Sequence, residues 1–261
     1  ALPISAAVAF AVVPGTAMAK SDVRLFVDPG HGGKDPGAVS GDLYEKDVVL
    51  SVGKLVAESA ERQGWDVKMS RDKDVFVPLK ERPARAAKWK ATTYVSIHSN
   101  STGEKKLGNM TIYRSKGGKR LGSAIMGEMD KLTDYKDAGN RKDERGLAVL
   151  RGAEMPAVLV EVLAVTPKEE RRRLKNPAFH KKAAESIVKG VAKYEGVEYI
   201  GPDEPKEEPK PEPKPEPAKV EAETEPAAKP EVESPTKTNA VTEPVEAPSA
   251  GADPVAADAQ L

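Results

Sequence analysis

Leu25-Phe26-Val27-Asp28-Pro29-Gly30-His31-Gly32-Gly33-Lys34-Asp35-Pro36-Gly37 is the stretch that decides how this chain is read. Three apolar residues that suit the end of a buried strand run into a loop with four glycines, two prolines and one histidine. Glycine lets a backbone take positive φ and approach a ligand closely, so the loop is expected to hold His31 at the mouth of a sheet. A phosphate-cradling loop needs Gly-x4-Gly-Lys-Ser/Thr, and here Asp35 follows Lys34, which excludes it.

Outward from that loop, strands and helices alternate. Leu25 to Asp28 reads as a strand, and Glu45 to Gln63 as a helix with Val48, Val49, Val52, Leu55 and Val56 on one side. Gly64 stops that helix ahead of a strand at Val67 to Ser70. A helix from Leu79 to Lys90, broken near its start by Pro83, precedes strands at Thr93 to His98 and Asn109 to Tyr113. A helix at Leu121 to Leu132, strands at Leu147 to Leu150 and Ala157 to Val162, and a helix from Pro177 to Tyr194 complete the pattern. Such alternation predicts an α/β fold, a twisted and mostly parallel sheet of about six strands flanked by helices in one catalytic domain. The link Arg151 to Pro156 is too short for a crossover helix, so the last two strands are expected to be antiparallel and the sheet mixed.

The ends of the chain have a different composition. Residues 1–19 hold an apolar core, a Pro14-Gly15 breaker and Ala17-Met18-Ala19, the back half of a secretory signal peptide whose basic front is not in the sequence. Cleavage after Ala19 and export to the periplasm, cell wall or exterior are expected, leaving no transmembrane anchor. The domain is read as residues 20–200. Residues 201–261, rich in Pro, Glu, Lys and Ala, have too few large apolar residues to fold and read as a disordered tail. That tail has 15 acidic residues and 6 lysines, while the 261 residues together have 41 of each sign, so the remainder has a net charge of +9. The sequence contains no cysteine, which excludes disulfides and thiolate metal ligands.

Three apolar runs end in titratable residues: Leu25 to Val27 in Asp28 and His31, Tyr94 to Ile97 in His98, and Ala157 to Val160 in Glu161. Parallel strands present their carboxyl ends along one edge, where ligands bind. His31 and His98 are 67 residues apart, yet this topology can join them, with Glu45 added from the start of the next helix. Two imidazoles and a carboxylate suit a catalytic zinc with an open position for water. Glu161, ending a strand expected to be buried, needs a task to offset its desolvation; anchoring an arginine such as Arg151 is the competing role. His180 reads as packing or surface, and Arg171, Arg172 and Arg173 as a solvated helix face.

Val27-Asp28-Pro29-Gly30-His31-Gly32-Gly33-Lys34-Asp35-Pro36-Gly37-Ala38, Tyr44-Glu45-Lys46-Asp47, Ser70-Arg71-Asp72, Leu79-x-Glu81-Arg82, Val95-Ser96-Ile97-His98-Ser99-Asn100 and Met155-Pro156-Ala157-Val158-Leu159-Val160-Glu161 together resemble the zinc-dependent N-acetylmuramoyl-L-alanine amidases of the amidase-3 type. The resemblance runs from Arg24 to about Tyr194. It implies zinc ligands His31, Glu45 and His98 and a catalytic acid/base Glu161. It further implies hydrolysis of the amide between the lactyl group of N-acetylmuramic acid and L-alanine of the stem peptide. Peptidoglycan or muropeptides are then the partners, with no nucleic acid, and the protein is expected to be a monomer. Asp28 would orient a ligand imidazole or cap the loop, and Asn100 or a loop N–H would assist an oxyanion. A secreted zinc peptidase acting on another amide and a non-catalytic wall-binding protein share these residues as alternatives. One departure stands out: the family usually has glycine two residues after the glutamate, where this chain has Leu163, and an altered backbone is expected there.

Overall fold

The Leu25-Phe26-Val27 run forms β1 (Arg24–Pro29), with five of its six residues buried. The structure, a computed structural model, describes residues 22–103 and 105–202; the expected signal segment and tail lie outside them. After β1 come a short hairpin of β2 (Val39–Ser40) and β3 (Leu43–Tyr44), helix α1 (Glu45–Arg62), β4 (Asp66–Met69) and α2 (Glu81–Lys88). Then follow β5 (Thr93–Asn100), β6 (Met110–Tyr113), α3 (Lys116–Met129), β7 (Gly139–Lys142), α4 (Ala148–Arg151), β8 (Ala157–Ala164), α5 (Lys168–Leu174) and α6 (Pro177–Glu195). No helix among the described residues is long and apolar enough to cross a membrane.

Six strands form one sheet in the order β4-β1-β5-β8-β6-β7. Strands β4, β1, β5 and β8 are parallel, so the carboxyl ends of three neighbours, β1, β5 and β8, share one edge. The sheet is mixed because β6 runs antiparallel to β8, and β7 runs parallel to β6. On one face Leu25, Val27, Val95, Ile97, Val158 and Val160 pack with apolar residues of α1, α3 and α6. On the other, Phe26, Tyr94, Ile112 and Leu159 pack with Ala86 of α2 and Val149 and Leu150 of α4. Central strands covered on both faces read as continuous apolar runs, which is why β1, β5 and β8 stood out.

Local chemistry sets the helix ends. Asn176 caps α6 by accepting the Ala178 N–H, Pro177 occupies its first turn, and Gly196 closes it with φ +72°. The Ser115 hydroxyl accepts the Gly118 N–H, so α3 starts at Lys116, five residues before the expected Leu121. Pro83 does not break α2, because it lies in the first turn, where its missing N–H would have no intrahelical partner.

Two expectations need correction. Leu147 to Leu150 is not a strand: the Asp143 carboxylate accepts the N–H groups of Arg145, Gly146 and Leu147, and the turn so formed leads into α4. The sixth strand is β7, Gly-Asn-Arg-Lys, an edge strand with no fully buried residue and hence no apolar signal. The antiparallel pair is therefore β6 with β8, not the last two apolar runs. The arginine run lies in α5, but only Arg172 of the three is exposed. Arg171 reaches the Ser40 hydroxyl and Arg173 reaches the Asp134 carboxylate.

Candidate metal and catalytic site

Two buried guanidiniums shape the loop after β1. Arg82 donates to the carbonyls of Val77, Pro29 and His31 at 3.0, 2.8 and 2.7 Å and to the Asp28 carboxylate at 2.8 Å. Arg71 donates to the carbonyls of Pro29 (3.0 Å), Gly30 (2.7 Å), Lys46 (2.8 Å) and Lys73 (3.2 Å). Three successive loop carbonyls are thus fixed, and His31 is held at φ +56°. For a residue with a Cβ that left-handed conformation costs about 1–2 kcal/mol, which these charge-assisted bonds offset.

Asp28 belongs to this scaffold and touches no imidazole. Fully buried, it faces Arg82 and accepts the hydroxyls of Tyr94 and Ser96. Burial alone would raise its carboxyl, but the Arg82 charge and the bonds from Tyr94 and Arg82 hold it below the usual carboxylate range. The group that does orient the His31 imidazole is Asp35, whose Oδ2 lies 2.9 Å from His31 Nδ1 while its Oδ1 accepts the Gly37 N–H. With a proton on Nδ1, the Nε2 lone pair is left pointing inward.

His31, Glu45 and His98 come together as the sequence suggested. Glu45 Oε1 lies 3.1 Å from His31 Nε2 and 3.0 Å from His98 Nδ1, and it accepts the Ser99 N–H at 2.9 Å. Its second oxygen accepts the Ala38 N–H at 2.8 Å. One ligand atom from each of the three residues falls within 4.8 Å of the others. Although His31 Nε2 is close to Glu45, it is buried without a properly aligned hydrogen bond among the described residues, so its lone pair suits a cation. Two glycines make room for the cluster. A Cβ on Gly30 would lie 2.3 Å from the His98 ring, and one on Gly37 would lie 2.7 Å from both Glu45 Oε2 and His31 Cδ2. Burial would raise the Glu45 carboxyl, but the two imidazoles hold it well below the usual range. Burial would lower His31, but Glu45 and Asp35 raise it.

Glu161 lies directly across the parallel β5–β8 ladder from His98. It is fully buried, and neither carboxylate oxygen has a hydrogen-bond partner among the described residues. Burial, reinforced by the charge of Glu45 and opposed by Arg145, pushes its carboxyl well above the usual value. It therefore does not anchor Arg151, the competing role considered from the sequence. Past this pair the register shifts: Asn100 faces Ala164, so Val162 and Leu163 together oppose Ser99 in a β-bulge. Leu163 occupies the left-handed region at φ +58°, a conformation that glycine adopts more readily than leucine. Its side chain is fully buried, which offsets part of the strain of a left-handed leucine, about 1–2 kcal/mol.

Other sequence candidates have structural work. His180 bridges the Ser51 hydroxyl and the Leu174 carbonyl, tying α6 to α1 and α5. Asn100 accepts the neighbouring Ser101 N–H through Oδ1. The functions of Arg71, Arg82 and Asp35 could not be read from the residues alone, since an arginine that reaches 41 to 53 positions back to carbonyls has no local pattern. The signal available was the resemblance, which included both arginine blocks without giving them a role.

This edge of an α/β sheet brings together an imidazole–carboxylate–imidazole cluster that could hold a metal ion and a buried glutamate beside it. The family model described as N-acetylmuramoyl-L-alanine amidase matches residues 25–193, and the chain belongs to that amidase-3 family. The solved structure of the amidase AmiC2 of Nostoc punctiforme is 37% identical with a TM-score of 0.63, covering 67% of this chain and 98% of that one. The endolysin of Bacillus phage SPP1 is 36% identical over 180 residues, covering 64% of each chain. The N-acetylmuramoyl-L-alanine amidase AmiC of Escherichia coli is 29% identical over 230 residues, covering 69% of this chain and 55% of that protein. The match thus spans only about half to two-thirds of the length of those two relatives.

Proposed function

We propose that the protein hydrolyses the amide between the lactyl group of N-acetylmuramic acid and L-alanine of the stem peptide, in peptidoglycan or muropeptides. The observation that carries this reading is a buried, unpartnered Glu161 beside the His31–Glu45–His98 cluster at the shared edge of β1, β5 and β8. Membership of the amidase family points to the same substrate, and a substrate outside the cytoplasmic membrane implies export, in keeping with the leader-like residues 1–19.

In this reading His31, His98 and the Glu45 carboxylate would hold a zinc ion. Asp35 fixes the His31 tautomer, and the low carboxyl of Glu45 keeps that ligand ionised. When bound, zinc supplies Lewis acidity toward the amide carbonyl and makes water more acidic. Glu161 takes the proton from the attacking water and returns it to the alanine nitrogen, so the C–N bond breaks to give a lactyl carboxylate and a free amine. No covalent enzyme intermediate is needed. All five exposed large apolar side chains among the described residues, Val39, Tyr44, Val75, Phe76 and Leu79, lie in the two segments beside the His31 loop. They form a rim on which substrate can rest.

Elemental analysis and product mapping test this reading. One zinc per chain and new N-terminal alanine on digested wall are expected; full zinc retention in both His31→Ala and His98→Ala would place the metal elsewhere. Release of a different amine would favour a peptidase, and binding without release a wall-binding protein. Asp35→Asn makes a finer test. It removes the charge that orients His31 without removing a ligand, so zinc affinity in a chelator competition is expected to fall 10- to 100-fold, the usual range for an outer partner. Unchanged affinity would show that the tautomer is set by other groups.

A further inference from the structure

Neither oxygen of Glu161 is held by a hydrogen bond among the described residues, so its position depends on backbone and packing alone. That backbone is unusual. Val158, Val160 and Val162 alternate onto one apolar core, but Leu163 packs into that core as well, so the alternation breaks two residues after Glu161. The break is the bulge with Leu163 at φ +58°, a place normally taken by glycine. Something must hold a leucine there.

Glu170 of α5 is placed to do so. Its side chain is fully buried. Oε2 accepts the Ala164 N–H at 2.7 Å, next to the strained residue. Oε1 accepts the N–H groups of Leu107 and Gly108 at 2.9 Å each and the Tyr135 hydroxyl at 3.1 Å. Leu107 and Gly108 lead into Met110, which faces Glu161 across the β6–β8 ladder. One carboxylate therefore braces both the end of the strand that carries Glu161 and the segment entering the strand beside it. We propose that Glu170 is a positioning residue: by tying Ala164 to Leu107 and Gly108 it holds the left-handed bulge at Leu163 and so places the Glu161 carboxylate. This rests on the reading of Glu161 as the proton-transfer group.

Glu170→Gln preserves shape but sets an amide NH2 against N–H donors. Released from its tie, Leu163 would relax toward negative φ and shift the strand end. Glycine at 163 keeps the left-handed conformation without that cost. The experiment is therefore a cycle of the parent, Glu170→Gln, Leu163→Gly and the double variant, reading kcat, KM and Tm on soluble muropeptide with zinc-loaded protein. Misplacement on the ångström scale costs up to about 100-fold. We expect Glu170→Gln to lower kcat about 10-fold in the parent, with KM within about 2-fold, but only about 2-fold when glycine is at 163. Equal losses of kcat in both backgrounds, or a lower Tm with unchanged kcat, would overturn the proposal. If Glu170→Gln does not fold, Glu170→Asp takes its place in the cycle; if Leu163→Gly does not, Leu163→Asn does, since Asn also tolerates the left-handed region. An inactive parent would overturn the amidase reading, while the Tm cycle would still test the coupling of Glu170 to Leu163.

Discussion

Glu161→Gln is expected to fold and bind metal as the parent does, yet lose on the order of 10² to 10⁴ in turnover, the range for removing a general acid/base. The amide keeps the shape of the side chain and cannot take a proton from water. Stability should move the other way. Because Glu161 is buried without a partner, its carboxyl is raised in the folded state by burial first and by Glu45 second. A carboxyl raised on folding contributes stability below its unfolded pKa, and that contribution is lost as pH rises through the folded value. At neutral pH, then, the metal-free parent bears a cost that Glu161→Gln does not. The Tm of the metal-free variant should equal or exceed that of the parent at neutral pH, and the difference should shrink toward pH 4. A variant with lower Tm and turnover within a few-fold of the parent would end the catalytic assignment.

His98 and Glu161 stood out from sequence because each closes an apolar run in a strand whose every residue is buried, although β5 continues to Asn100 and β8 to Ala164, so both lie inside their strands. Where burial is complete on both faces, sequence and structure agree. The lone signal for β7 would have been apolar alternation, and Gly139-Asn140-Arg141-Lys142 has none; its place at the edge is set by pairing with β6. Likewise a four-residue run such as Leu147 to Leu150 suits a buried strand or a helical turn equally, and the choice was made by three N–H groups turning onto Asp143. The His31–Glu45–His98 cluster was legible because His31 follows β1, His98 lies near the end of β5 and Glu45 opens α1. Its supports were not. Asp35 sits four residues from His31 in a loop with many polar candidates, and the bulge at Leu163 is a backbone feature that a leucine in sequence would argue against.

Those supports yield the second large effect. Arg82→Met is expected to lower stability by about 3–5 kcal/mol, the usual loss when one member of a buried ion pair is removed and the other is left behind. Met fills most of the space of Arg82, but Arg82 also holds the carbonyls of Pro29 and His31, so the change frees the loop whose left-handed His31 lies against Glu45 and His98. Zinc affinity should fall with it. The pH dependence identifies the cause. In the parent, the Asp28 carboxyl is held below its usual value despite burial, so the pair's contribution is present at neutral pH and is lost as pH falls through the depressed folded pKa. In the variant burial is unopposed by the Arg82 charge, Asp28 favours its proton, and stability instead falls as pH rises. The gap between parent and variant should therefore widen from about pH 3 to pH 7 in denaturant melts. Asp28→Asn combined with Arg82→Met removes the stranded charge and should recover part of the loss. If the gap is the same at both pH values and Asp28→Asn restores nothing, the cost of Arg82→Met lies in the freed loop carbonyls and not in the broken ion pair.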